Sequence, residues 1–112
     1  MLNNIVVMGR LARDPDLRMT TNGKMVCLFT IANERPKGGE IKEVDYLDVE
    51  AWNATAEFVD KWFKKGTPIV VIGRVQTRTY KDKEDRDRKV WFIVASGVDF
   101  VNSRKGEDDA AL

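Results

Sequence analysis

The alternation of apolar and polar side chains divides this sequence into short strands and one helix. A β-branched run, Ile5-Val6-Val7-Met8-Gly9-Arg10-Leu11, stops at the turn chemistry of Asp14-Pro15-Asp16. Thr21-Asn22-Gly23 marks a tight turn, and Met25-Val26-Cys27-Leu28-Phe29-Thr30-Ile31-Ala32 reads as a second strand. Pro36-Lys37-Gly38-Gly39 opens a loop, after which a third strand is expected from Val44 to Trp52. Ala56, Val59 and Phe63 then recur at i, i+3 and i+7, with Phe58 and Trp62 widening the stripe. That spacing predicts a helix with Asn53 as N-cap, Lys64-Lys65 in its last turn and Gly66 as its C′ residue. A fourth strand, Ile69 to Tyr80, carries Gly73, where a bulge or bend is expected. Lys81 to Arg88 mixes charges of both signs and reads as an exposed hairpin loop. The last strand covers Val90 to Ala95, with Val98-Asp99-Phe100-Val101 extending it. These elements make one domain over 1–103, followed by a short flexible acidic tail over 104–112.

Five strands with one helix between the third and fourth is the element order of an all-β, five-stranded Greek-key barrel, the OB-fold. A barrel this small fills its interior with side chains, which leaves its surface for chemistry. Strand parity says what that surface carries. Leu47, Val49 and Ala51 share one face of the third strand, and Tyr46, Asp48, Glu50 and Trp52 share the other. In the fourth strand Ile69, Val71, Gly73 and Val75 take one parity, while Arg74, Gln76, Arg78 and Tyr80 take the other. Both strands therefore set aromatic rings opposite the aliphatic face, and the fourth adds guanidinium groups. Such a face suits single-stranded nucleic acid, whose unpaired bases stack on Tyr or Trp while Arg meets phosphate or stacks. Taken singly, each ring better fits a half-buried rim position or a subunit interface; the three together with Arg74 and Arg78 favour binding.

Composition narrows the field. The 112 residues are 43% hydrophobic and 33% charged, a balance that suits one globular domain and argues against wholesale disorder. Nineteen Lys/Arg against eighteen Asp/Glu leave a net charge of +1, so any polyanion site must come from local placement of charge. With no His and one Cys, imidazole catalysis, imidazole–zinc sites and an intrachain disulfide are excluded. The start, Met1-Leu2-Asn3-Asn4, is not a signal peptide and no apolar run approaches a membrane span. The expectation is a soluble, cytoplasmic, nucleoid-associated protein with no cofactor and no metal.

Several stretches carry a more specific signal. Asn3-Asn4-Ile5-Val6-Val7-Met8-Gly9-Arg10-Leu11 with Asp14-Pro15, Leu17-Arg18 with Thr21-Asn22-Gly23, Ala56-Glu57 before Lys64-Lys65-Gly66, and Gly73-Arg74-Val75-Gln76-Thr77-Arg78-Thr79-Tyr80 follow in order. In that order and spacing the chain resembles the bacterial single-stranded DNA-binding protein family over nearly all of residues 1–101. The resemblance implies an OB-fold assembled as a homotetramer, partly through the N-terminal strand 2–8, around which single-stranded DNA wraps during replication, recombination and repair. It implies stacking by Tyr46, Trp52 and Tyr80, the three rings that strand parity selects. It also implies phosphate contacts from Arg10, Arg18, Lys24, Arg35, Lys37, Arg74 and Arg78.

Three features depart from the family pattern. Pro36-Lys37-Gly38-Gly39 stands where the family often has a further aromatic. Asp48 and Glu50 lie between Tyr46 and Trp52, where carboxylates repel phosphate unless cations such as Arg74 and Arg78 neutralise them. The end, Asp108-Asp109-Ala110-Ala111-Leu112, reads as a solvated tail more than as a reduced form of the family's acidic tip, so recruitment of replication and repair proteins does not follow from the resemblance. Other functions compete. Asp48 and Glu50 at i, i+2 invite a magnesium-dependent nuclease, but the lysine of a common nuclease arrangement is replaced by Trp52, and no catalytic residue is assigned. The same barrel could be a protein-interaction module or bind structured RNA. Cys27 shares parity with Met25, Phe29 and Ile31 and reads as a small buried hydrophobe. Trp62 and Phe63 read as core. Trp91 and Phe92 point to opposite faces of the last strand, one expected in the core and the other at an interface or on the binding surface.

Overall fold

A computed structural model of the chain describes residues 1–36 and 43–101. The candidate contact Lys37 and the tail over 104–112 lie outside the described residues. The elements are β1 (Ile5–Leu11), β2 (Asp16–Met19), β3 (Met25–Glu34), β4 (Val44–Trp52), α1 (Asn53–Trp62), β5 (Pro68–Lys81) and β6 (Asp87–Phe100). The sheet order is β1-β5-β6-β4-β3-β2, and a further pairing of β1 with β3 closes the five longer strands into a ring. All neighbours are antiparallel except β4 and β6, which meet in parallel at Val49–Ile93 and Glu50–Val94. This is the OB-fold arrangement, with α1 between β4 and β5.

The inward parity of each strand supplies the core. Leu11, Phe29, Ile31, Val49, Ile69, Val71 and Ile93 are buried, and α1 adds Ala56 and Val59 beneath them. Each large aliphatic or aromatic side chain so buried stabilises the fold by about 1.5–3 kcal/mol. Cys27 is fully buried among them, and burial pushes its thiol up to about 11, with Asp60 and Asp16 adding to the effect. Gly73 sits at the register shift between Ile72 and Gly73, as its place in the strand predicts. A Cβ there would collide with the carbonyl oxygen of Val94, so only glycine lets β5 and β6 approach this closely.

Several boundaries differ from expectation. β2 was not foreseen, because all four of its residues are exposed and a strand paired only with β3 at the sheet edge carries no burial alternation. The charged hairpin is shorter than Lys81–Arg88, since β5 and β6 pair as far as Lys81–Asp87 and only residues 82–86 turn. Asp82 builds that turn. Its carboxylate accepts the backbone N–H groups of Glu84 and Arg86 and the Arg88 guanidinium. These bonds, led by the Arg86 N–H, hold the Asp82 carboxyl below its ordinary value. Asn53 is not the helix N-cap. Trp52 takes that position without a side-chain bond, and Asn53 itself adopts φ +54, a left-handed conformation that Asn tolerates. The helix ends at Trp62 with Phe63 as extended C-cap, so Lys64-Lys65 are not its last turn. Gly66, at φ +87, belongs instead to a turn closed by Thr67 N–H donating to the Lys64 carbonyl. There its own N–H donates to the Leu11 carbonyl, and Lys65 N–H donates to Asp14 Oδ1. Trp62 is half exposed rather than core, because the buried side of the segment is set by Ala56, Val59 and Phe63.

Candidate nucleic-acid interface

The outward parity of β3, β4, β5 and β6 forms one continuous face, and strand register fixes its layout. Across β3 and β4, Val26 faces Trp52, Leu28 faces Glu50, Thr30 faces Asp48 and Ala32 faces Tyr46. β4 passes to β6 at Glu50–Val94, and β6 passes to β5 at Val94–Arg74, Phe92–Gln76, Val90–Arg78 and Arg88–Tyr80. Tyr46 and Trp52 mark the two ends of β4, about 20 Å apart at the usual strand rise. Arg74, Gln76, Arg78 and Tyr80 run along β5 on the far side of β6. Tyr46 is 66% exposed, Tyr80 is half exposed and Trp52 is partly buried. All three rings therefore lie outside the closed ring of strands.

The two carboxylates between the rings have different partners. Glu50, whose side chain is only 12% exposed, pairs at 3.1 Å with Arg78, which is 58% exposed. Arg78 also lies over the Phe92 ring, 4.5 Å from its centroid, so one guanidinium caps both an acid and an aromatic face. Among the described residues no arginine forms an ion pair with Asp48. It accepts the Thr30 hydroxyl at 2.9 Å, and Arg74 stands exposed with no side-chain partner among the described residues. The two acids are thus committed to separate neighbours rather than to a shared cation. Among the described residues, no group of three or more His, Cys, Asp or Glu side chains could hold a metal ion.

The remaining candidate cations are placed less favourably. Arg35 is bound by Asp45 through Nε and Nη2 and by Glu43 through Nη1, which raises its pKa and lowers that of Asp45. Arg18 pairs with Asp16 at 2.7 Å on β2, and that carboxylate raises its pKa. Arg10 donates to the Gly66 carbonyl, and Lys24 closes the turn before β3 by donating its backbone N–H to Thr20 Oγ1. Arg74, Gln76 and Arg78 share the aromatic face along β5; register also sets Arg18 in line with Val26 and Trp52 and Arg10 in line with Ala32 and Tyr46, while Lys24 and Arg35 flank the two ends of β3.

Phe92 is the residue that sequence reasoning left open. It lies on the outward parity of β6 yet is only 5% exposed, because Arg78 covers it. Trp91, of inward parity, is half exposed because it pairs with Thr77 where β5 and β6 run past the rest of the ring. Core membership at this point does not follow strand parity, and no pattern within a single strand could have revealed that.

The closed ring, its one helix and its open outer face define an OB-fold module whose candidate site is a surface rather than an enclosed cavity. Residues 2–101 match the Single-strand binding protein family, and the chain belongs to that family. It is 43% identical over 107 residues to the single-stranded DNA-binding protein of Halalkalibacterium halodurans, covering 93% of this chain and 63% of that protein. The protein of the same name from Oceanobacillus iheyensis is 38% identical over 115 residues, covering 98% of this chain and 71% of the relative. Single-stranded DNA-binding protein 2 of Listeria monocytogenes is 39% identical over 114 residues, with 99% and 71% covered. The chain therefore spans about two thirds of the length of these curated relatives.

Proposed function

We propose that the chain binds single-stranded DNA with little sequence choice and protects it during replication, recombination and repair. The observation that carries this reading is the shared outward face of Tyr46, Trp52, Arg74, Arg78 and Tyr80 on a closed ring of strands. Bases stack on the three rings, each worth roughly 1–3 kcal/mol by alanine substitution, while Arg74 and Arg78 take phosphates. Gln76 lies between these arginines and offers an amide to sugar or base. Arg10, Arg18, Lys24, Arg35 and Lys37 are secondary contacts along the path of a longer strand. Each phosphate contact contributes about −0.7 to the slope of log affinity against log salt.

We further propose that a second copy of the chain covers β1, as a step toward a homotetramer. Val6 and Met8 on β1 and Ile72 on β5 leave an apolar patch exposed, with Val6 directly opposite Ile72 in register. Among the described residues no helix is long and apolar enough to cross a membrane.

Fluorescence anisotropy with a labelled oligothymidine and a matched duplex tests the binding, and light scattering on the same samples reads the assembly. Tight, salt-sensitive binding of the single strand with weak duplex binding supports the reading. Equal affinity for both, or a preference for hairpin RNA, contradicts it.

A further inference from the structure

The centre of the aromatic face is a cleft of about 280 Å³, and its walls differ in hydrogen-bonding character. Phe92 and Leu28 provide apolar lining, and Arg13, Thr30, Asp48, Glu50 and Arg78 provide the polar groups. Phe92 is almost fully covered and so is fixed in place. Glu50 is only 12% exposed and its charge is offset by Arg78, which donates to Oε2. Asp48 is different. One carboxylate oxygen accepts the hydroxyl of the buried Thr30, which orients the group, and the other has no partner among the described residues.

An ionised carboxylate can only accept hydrogen bonds, so its free oxygen selects for a donor. Cytosine, adenine and guanine each carry an exocyclic amino group, whereas thymine presents the O4 acceptor where cytosine has its N4 donor. We propose that Asp48 selects among bases, so that the strand position entering this cleft favours an amino-bearing base over thymine. The inference rests on the single-stranded DNA reading above and adds a bias at one position to otherwise sequence-tolerant binding. A carboxylate that only repelled phosphate would weaken every strand alike. Discrimination between bases therefore separates the two roles.

The test compares oligodeoxycytidine and oligodeoxythymidine of equal length on the full chain and on Asp48→Asn and Asp48→Ala. Stacking within the free strands is the same for each protein, so it cancels when the cytidine-to-thymidine affinity ratio is compared between proteins. The Asn variant keeps an oxygen for Thr30 and offers an amide donor to thymine O4, so it preserves the local fold while removing the discrimination. The expected result is a fall of about fivefold in the ratio for both variants, the scale of one partly solvated base contact. An unchanged ratio, with both homopolymers bound more tightly, overturns base selection and leaves Asp48 as a purely repulsive charge. If the full chain binds neither homopolymer, the single-stranded DNA reading fails and the base preference fails with it.

Discussion

Replacing Glu50 with glutamine tests how the arginines of the outer face are held. Glu50 and Arg78 are 3.1 Å apart, so a phosphate approaching Arg78 must share it with a carboxylate. From one guanidinium away, about 6 Å, a unit negative charge repels a phosphate by about 0.7 kcal/mol in bulk-water dielectric. Screening at physiological salt, with a decay length of about 8 Å, lowers that to about 0.3 kcal/mol. Summed over two or three nearby phosphates, Glu50→Gln should tighten oligothymidine binding by about 0.6–1 kcal/mol, roughly three- to fivefold. Arg78 is more than half exposed, so losing the ion pair should cost the fold no more than about 1 kcal/mol. Arg78, no longer shared with Glu50, should hold its phosphate more fully and steepen the log–log salt slope by at most about 0.7. Anisotropy titrations at several salt concentrations read both quantities. Weaker binding with a shallower slope would refute the reasoning. It would show that Glu50 holds Arg78 over Phe92 in the geometry that DNA uses.

Trp52→Ala should weaken oligothymidine binding by at least about 1 kcal/mol in the same titration, and unchanged affinity would remove Trp52 from the face. Phe29→Ala, at a buried core position of β3, should lower unfolding stability by about 3–5 kcal/mol in a denaturant melt. A loss below 1 kcal/mol there would contradict the core assignment. Asp82 titrates below the ordinary carboxylate range in the folded chain, so its turn contributes stability above that range and loses it as pH falls through the depressed value. Protection factors at Glu84 and Arg86, corrected for the intrinsic pH dependence of amide exchange, should therefore fall on acidification, and Asp82→Asn should remove most of that pH dependence.

Strand alternation described the candidate face more fully than it described the element boundaries. Tyr46, Trp52, Arg74, Arg78 and Tyr80 were legible because each lies on a strand whose other parity is aliphatic, and the fold places that parity inward. β2 was not legible, since an edge strand with both faces exposed has no reason to alternate. The helix stripe identified Ala56, Val59 and Phe63 but also drew in Trp62, which lies at the margin of the buried side. Phe92 escaped because its burial comes from Arg78 across the sheet, a contact between residues far apart in sequence. Charge partners were equally hidden. Arg35 reads as a free cation in sequence, yet the fold sets it between Glu43 and Asp45. Asp48 and Glu50 look like a pair, and the fold gives one to Thr30 and the other to Arg78.

Photo-crosslinking of a 5-bromodeoxyuridine oligonucleotide, with the attachment sites read by mass spectrometry, tests the aromatic face most directly. Trp62 is 54% exposed on α1, away from that face, and serves as the internal control for a ring that is merely accessible. Crosslinks at Tyr46, Trp52 and Tyr80, absent at Trp62 and suppressed by unlabelled oligothymidine, are the predicted result. Crosslinks concentrated at Trp62, with the three outward rings unlabelled, would contradict it.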